Sequence, residues 1–437
     1  MNKKVLVITY YWPPSGGVAV QRWLKFSKYL RDFNWEPVIY TVSNGEFAEV
    51  DNSLFSEIPE NIKVLKHKIW EPYSVYKLFT GKTTSKRINR NTIQTGKSLS
   101  FSERISIWIR GNLFIPDTRF LWIKPSIAFL RNELKKNKYE AIISTGPPHS
   151  NHLIALQLAK LTKLPWLADF RDPWTTMDYF KDLKLTRWAY NKHHKLELAV
   201  LKNATVVVVV GSLMKQEFDK KGAKRVEIIS NGFDEFDFNF NSPKPTVLDS
   251  DFTLVHVGSF LKRRNPYSLW KVISLLKKEQ HPMADKIKIK LVGRVEQSIL
   301  DSIDEFGLKP NLIQVDYVPH NKVVEYLKSA QILLLPIDDF EGAKWVLTGK
   351  LFEYLASSRP VLCIGPKDGD AAKVLAETGL GDTFEFDDLA GLRIYLINQF
   401  ERYKKNTLFI EKNTSINKYS RRGLTERLAA LLNEISE

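Results

Sequence analysis

Thr348-Gly-Lys-Leu-Phe-Glu-Tyr-Leu-Ala-Ser-Ser-Arg-Pro-Val-Leu-Cys-Ile-Gly365 is the stretch on which the reading of this chain turns. Residues 348–358 read as a helix, followed by a tight connection and a buried strand over 360–365. Lys350 and Glu353 fall at the amino end of that helix. A helix N-terminus is positively polarised and offers unpaired N–H groups, so it is a natural seat for phosphate. Lys350 adds a cation there, and Glu353, one turn on, has the reach to accept hydrogen bonds from a ribose. Together they suit a nucleoside diphosphate. The competing reading is a solvated lysine beside an intrahelical pair.

Outward from this stretch the order is strand then helix, repeated, which predicts parallel sheets flanked by helices. In the first half, strands are expected at 4–9, 37–42, 62–67, 140–144, 165–169, 204–210 and 226–229. A second series follows at 252–258, 287–293, 312–315, 331–336 and 360–365. Asn239-Phe-Asn-Ser-Pro-Lys-Pro-Thr246 lies between them and has the composition of a linker. The expectation is an α/β protein of two doubly wound, Rossmann-like domains, 1–240 and 247–415, with a last helix within 416–437. At 437 residues the chain exceeds what one core usually supports.

Hydrophobic content of 43% with 25 Phe, 16 Tyr and 11 Trp is ample for two cores and excludes a disordered chain. The single cysteine, Cys363, sits in an apolar run and rules out an internal disulfide framework. The first apolar stretch, Val5–Ile8, is too short for a signal peptide, and Ala204–Val210 is too short to span a membrane, so a cytoplasmic location is expected.

The formal charge is +16. Seven basic residues between Lys82 and Arg110 face one acid, Glu103, and six between Lys181 and Lys202 face Asp182 and Glu197. Such clusters attract nucleic acid, anionic lipid or diphosphate-linked substrates, or are simply solvated. The long connection 70–123 interleaves them with Phe101, Ile105, Ile107, Trp108, Leu113 and Phe114, the composition of a segment lying on an anionic membrane; ordinary helix packing is the alternative. No regular basic–aromatic platform or nucleic-acid motif supports a nucleic-acid partner.

Several loops carry chemistry. Pro13-Pro-Ser-Gly-Gly17 follows the first strand, where ligands enter a doubly wound sheet, and glycine lets backbone N–H groups approach one closely. It is not Gly-x-Gly-x-x-Gly, which disfavours NAD. Gly146-Pro-Pro-His-Ser-Asn-His152 places His149 at a helix mouth, with Ser150 or Asn151 as cap. In Asp169-Phe-Arg-Asp172, two carboxylates three apart would share a sugar hydroxyl or orient Arg171, and their spacing is wrong for Asp-x-Asp metal binding.

Read in order, these segments together with Tyr10–Arg22, Asn231-Gly-Phe233 and His256-Val-Gly-Ser-Phe-Leu-Lys-Arg-Arg-Asn-Pro266 make the chain resemble glycosyltransferase family 4, the group 1 retaining enzymes of GT-B fold. The resemblance implies a retaining, metal-independent glycosyltransferase without cofactor, acting on a UDP- or GDP-linked sugar. The acceptor would be a glycan or lipid-linked glycan of cell-surface polysaccharide. Front-face attack, with the departing phosphate taking the acceptor's proton, would need no protein nucleophile. Donor binding would fall to Gly16 and Gly17 across an interdomain cleft, and to Gly258, Arg263, Arg264, Lys350 and Glu353. Acceptor binding would fall to His149, Asp169 and Arg171, with Arg264, Lys350, His149 and Asp172 as the catalytic set. The last helix would return to the first domain.

The chain departs from the family pattern at three points. Ser259 stands where an arginine is usual and Trp345 where the first glutamate of Glu-x7-Glu is usual, leaving Asp338, Asp339 or Glu341 as substitutes. Arg171 replaces a common histidine. These departures leave room for a nucleotide-sugar epimerase or hydrolase, or for a non-catalytic basic binding protein.

Overall fold

A computed structural model describes residues 2–47, 49–70, 101–176, 180, 182–238, 247–408 and 414–437. The basic positions Lys82 to Lys97, Lys181 and the linker 239–246 lie outside the described residues. The chain divides into two units, Met1–Ser230 with Thr425–Glu437, and Asn231–Leu424.

The first unit is built on seven strands: β1 (Lys3–Ile8), β2 (Trp35–Val42), β3 (Lys63–His67), β4 (Ala141–Gly146), β5 (Trp166–Phe170), β6 (Val206–Val209) and β7 (Val226–Ile228). Their order in the sheet is β3-β2-β1-β4-β5-β6-β7, parallel throughout. Helices cover both faces of such a sheet, so the central strands read as unbroken apolar runs, and Val5–Ile8 and Val206–Val209 are fully enclosed. The chain enters at β1, steps outward to β3, and crosses back to β4 on the other side. That reversal is the topological switch point, where the loops after β1 and β4 diverge and leave a crevice at the carboxyl ends of the strands.

The second unit repeats the plan with β8 (Phe252–Val257), β9 (Ile287–Val292), β10 (Leu312–Val315), β11 (Ile332–Pro336), β12 (Val361–Ile364) and β13 (Gly381–Phe384), in the order β10-β9-β8-β11-β12-β13. Its switch point falls between β8 and β11. Cys363, on β12, is fully buried, and burial pushes its thiol up to about 12, leaving it an inert apolar group. β13 was not anticipated. It is a four-residue edge strand, Gly-Asp-Thr-Phe, paired on one side only, and carries no apolar run to read.

The unit boundary lies at 230/231 rather than near 240. Phe233 and Phe238 pack into the second core beside Ile416 and Tyr419, and Phe233 exchanges backbone hydrogen bonds with Tyr419 and Arg421. The last helix, Arg421–Ser436, joins the first unit from Thr425 onward. There Arg225 pairs with Glu434, Arg427 donates to the Ile228 carbonyl at 2.8 Å, and Lys3 and Trp35 both donate to Asn433 at 3.2 Å. Within the connection 70–123, Phe101–Asn112 is a helix. Its Gly111 lies against Leu183 and Leu185, and Asn112 accepts from the Thr186 N–H at 2.7 Å.

Candidate functional site

In the second unit, the sequence-predicted donor residues gather at the carboxyl end of β8. Gly258 follows the strand with φ +101°, a conformation L side chains rarely adopt. A Cβ there would stand 2.7 Å from Lys350 Cε and 2.8 Å from Nζ. Glycine is thus what lets the lysine chain lie across the strand end. Lys350 comes from the first turn of the helix Gly349–Ala356, which is fastened to β8 by Tyr354, whose hydroxyl accepts the Val257 N–H at 3.1 Å. The cap residue Thr348 makes no side-chain capping bond, and its buried Oγ1 has no hydrogen-bond partner among the described residues. The start of this helix therefore keeps the unpaired polar character expected of an anion seat.

Lys350 Nζ donates to His256 Nε2 and to the Ser259 carbonyl, both at 3.3 Å. Burial, reinforced by the Arg264 charge and only partly offset by Glu353 and Asp338, lowers its pKa to about 7. Arg264 closes the 3-10 turn Lys262–Arg264 and grips Asp338 through both oxygens, Nε to Oδ1 at 3.1 Å and Nη2 to Oδ2 at 3.0 Å. Asp338, read as a substitute sugar contact, is therefore the counter-ion of Arg264. Ser259, at the expected arginine position, contributes its carbonyl instead of a charge.

The remaining donor candidates are less tightly gathered. Glu353 is half-buried on the same helix, near enough to favour the charged form of Lys350. The Arg263 side chain is exposed, and its carbonyl accepts from the Asp339 N–H at 2.8 Å. Trp345 ends the short turn Ala343–Trp345 and is half-buried. His256, 1% exposed, was missed by sequence reasoning; its only signal is a lone histidine in the otherwise apolar end of β8.

In the first unit, Gly16 and Gly17 form the turn before the helix Val18–Tyr29, with Gly17 at φ +88°. The Gly16 N–H donates to the Glu49 carbonyl at 2.9 Å, so the segment 49–51 lines this turn. His149 is buried at the mouth of the helix Ser150–Thr162 and stacks on Trp174, centroids 4.5 Å apart with the ring planes nearly parallel. A Cβ on Gly146 would meet His152 Nε2 at 2.5 Å and His149 Nδ1 at 3.2 Å, so two imidazoles pack over that glycine.

Two readings in this unit are corrected. Neither Ser150 nor Asn151 caps the helix. Asp117 does, accepting the Ser150 N–H at 2.9 Å and its hydroxyl at 2.8 Å, while Asn151 donates to the Thr145 carbonyl. A carboxylate already occupies that positive helix end.

Asp169, expected at an acceptor, has no exposed surface. It takes Arg22 at 2.8 Å, Trp23 Nε1 at 2.7 Å and the Thr145 hydroxyl at 2.9 Å. Burial would raise its pKa, but Arg22 and the hydrogen-bond donors outweigh that and hold the carboxyl below its usual range. Arg22 in turn donates to the carbonyls of Ile229 and Ser230, so the pair ties β5 to the chain after β7.

Arg171 donates to the carbonyls of Gly146 and Pro147 and lies 5.7 Å from the Tyr11 ring centroid, holding the turn that carries His149. Asp172, half-buried beside it, supports its charge. His152 donates or accepts at Ser144 Oγ, 2.8 Å away, and burial depresses its pKa to about 3, which makes it a packed neutral ring.

Among the described residues, no three His, Cys, Asp or Glu side chains gather as a cation site, and no helix is long and apolar enough to cross a membrane. Residues 237–369 match the family of glycosyl transferases group 1. A capsular polysaccharide biosynthesis glycosyltransferase of Staphylococcus aureus, CapH, is 28% identical over 231 residues, covering 50% of this chain and 58% of that protein, so the chain spans little more than half of that relative. Two solved structures align over nearly the full length. Anabaena HepE, determined with UDP-glucose, gives a TM-score of 0.59 at 13% identity over 99% of this chain and all of that one. TarM gives 0.61 at 13% identity over 99% of each chain. The two Rossmann-like units are thus those of a GT-B fold, and the segment holding Arg264 and Lys350 matches the group 1 glycosyl transferases.

Proposed function

We propose that the chain is a retaining, metal-independent glycosyltransferase of family 4 that moves a sugar from a UDP- or GDP-linked donor onto a glycan or lipid-linked glycan during cell-surface polysaccharide synthesis. The observation that carries this reading is the Arg264–Lys350 pair at the carboxyl end of β8, inside the group 1 match and beside an uncapped helix start. As the glycosidic bond breaks, the leaving diphosphate gathers negative charge, and fixed cations lower that barrier by about several kcal/mol. Lys350 and Arg264 meet the diphosphate, the helix N-terminus adds its N–H groups, and Glu353 takes the ribose. The departing phosphate accepts the acceptor's proton, so no side-chain nucleophile is required. CapH and HepE support the polysaccharide and UDP-sugar parts of the reading by similarity.

Thermal stabilisation by a panel of nucleotide sugars tests the donor, and product analysis with the stabilising donor tests the reaction. Transfer that persists in chelator, with the anomeric configuration kept, is expected. Free or isomerised sugar formed without any acceptor would replace this reading with a hydrolase or epimerase.

The proposed place of work is the cytoplasmic face of the membrane. On the helix Phe101–Asn112 and just beyond it, Ile105, Trp108 and Leu113 are exposed beside Arg104 and Arg110. Replacing Trp108 and Leu113 with Ser should weaken sedimentation with anionic vesicles, and unchanged sedimentation would remove the membrane from the reading.

A further inference from the structure

Burying a histidine inside a parallel sheet is unfavourable unless both ring nitrogens are satisfied. His256 meets that condition in a way that defines its tautomer. Nδ1 lies 3.0 Å from the Leu334 carbonyl on β11, and the Ser259 carbonyl also acts on the ring; the Leu334 contact assigns the proton of the neutral imidazole to Nδ1 and leaves Nε2 a lone pair. That lone pair faces Lys350 Nζ at 3.3 Å. The ring is packed against Phe260, centroids 4.4 Å apart, and has almost no exposed surface, so the acceptor is fixed in place. Burial, with the charges of Lys350 and Arg264 alongside, keeps the imidazole neutral. It therefore serves as a rigid acceptor and not as a proton donor.

We propose that His256 is a positioning residue: it and the Ser259 carbonyl hold two N–H bonds of Lys350 at the switch point between β8 and β11, leaving the third for a phosphate oxygen. The inference rests on the reading of Lys350 as the diphosphate contact. A free lysine carries four flexible bonds and must be ordered when it meets a ligand, whereas one pinned beforehand loses little on binding. The other charged groups around it are Arg264, Glu353 and Asp338, so its setting is fixed from β8, from the turn after it, from its own helix and from the loop after β11.

Two variants of the full chain separate the roles of the two ring nitrogens. His256→Asn retains a donor near the Nδ1 position for Leu334 and removes the acceptor for Lys350. His256→Gln brings an amide oxygen to the Nε2 position. Inorganic pyrophosphate binding, measured by calorimetry, should weaken about tenfold in His256→Asn and return to within about threefold of the parent in His256→Gln. Parent-like binding in His256→Asn overturns the proposal. A ligand-free readout stands apart from the phosphate reading: in protein carrying isotope-labelled histidine, Lys350→Met should move the Nε2 resonance of His256, and an unmoved resonance also overturns the proposal. Parent-like pyrophosphate binding by Lys350→Met would instead sink the assignment of the lysine to the diphosphate, with the resonance still deciding the contact.

Discussion

Replacing Gly258 with Ala separates the cost of a backbone conformation from the cost of a displaced cation. The backbone sits at φ +101°, and forcing an L residue into such a region costs about 1–2 kcal/mol. Gly307, in the same unit at φ +69°, has nothing within 4 Å of an added Cβ, so Gly307→Ala pays only a comparable backbone cost. For a unit of this size either change lowers the melting temperature by about 2–8 °C. At Gly258 the new methyl also meets Lys350 Cε at 2.7 Å and Nζ at 2.8 Å, and something must move. The far end of a lysine yields more readily than backbone, so Gly258→Ala should exceed Gly307→Ala by less than about 1 kcal/mol in denaturant unfolding. Function should split the pair. The displaced ammonium leaves His256 and Ser259, and pyrophosphate or nucleotide-sugar affinity should fall about tenfold in Gly258→Ala while Gly307→Ala binds as the parent does. Equal binding by the two variants would show that the position of Lys350 at the end of β8 is immaterial.

Further outcomes follow from the charges. With a pKa of about 7, Lys350 loses its proton as pH rises past neutrality, so donor affinity should decline between pH 7 and 9, and Lys350→Arg should flatten the profile. An unfolded lysine titrates near ~10.4. Between the two values the unfolded chain binds the extra proton, so stability rises with pH across that window, a slope Lys350→Met should reduce. Replacing Arg264 with Met removes a cation and leaves Asp338 facing the diphosphate; affinity should drop at least about tenfold, with partial recovery in the double variant that also carries Asp338→Asn, read as a double-mutant cycle. Asp169→Asn should act on folding. It strands Arg22 in the interior at a cost of about 3–5 kcal/mol, seen as a lower melting temperature of the first unit with little change in acceptor KM among the molecules that remain folded. Because the Asp169 carboxyl is held below its usual range, its contribution is present at neutral pH and is lost only under acid, as it becomes protonated.

Much of the fold was legible because a doubly wound sheet writes itself plainly. Strands buried on both faces become apolar runs, and Val5–Ile8, Val206–Val209 and Ile332–Leu335 stand out against the helices between them. Gly381–Phe384 was not legible, since an edge strand needs no such run. At the candidate site, Lys350 was singled out from local context, a helix start, and Gly258 from the family resemblance. Their partners were not, because the contacts span the fold: Lys350 meets His256 94 residues away, and Arg264 meets Asp338 at a distance of 74. Asp169 misled for the same reason. An acid at a strand end in a doubly wound sheet suggests chemistry, and only Arg22, 147 residues earlier, reveals that the carboxylate is spoken for.

The charge arrangement explains why one of the two cations is a lysine. Two permanent cations set close together at a half-buried site would repel each other and resist desolvation. Here Arg264 is neutralised by Asp338, and Lys350 lies near its own titration point, so the cluster by itself carries little net positive charge. On the proposed reading, a bound diphosphate would reverse that balance: its negative charge would draw a proton onto Lys350 and compete with Asp338 for Arg264, so positive charge would develop as it binds. An arginine at position 350 would stay charged throughout and lose this property. Proton uptake on pyrophosphate binding near pH 7 to 8, measured as buffer-dependent heat in calorimetry, is therefore expected in the parent and absent in Lys350→Arg; uptake that survives the substitution would place the titrating group elsewhere.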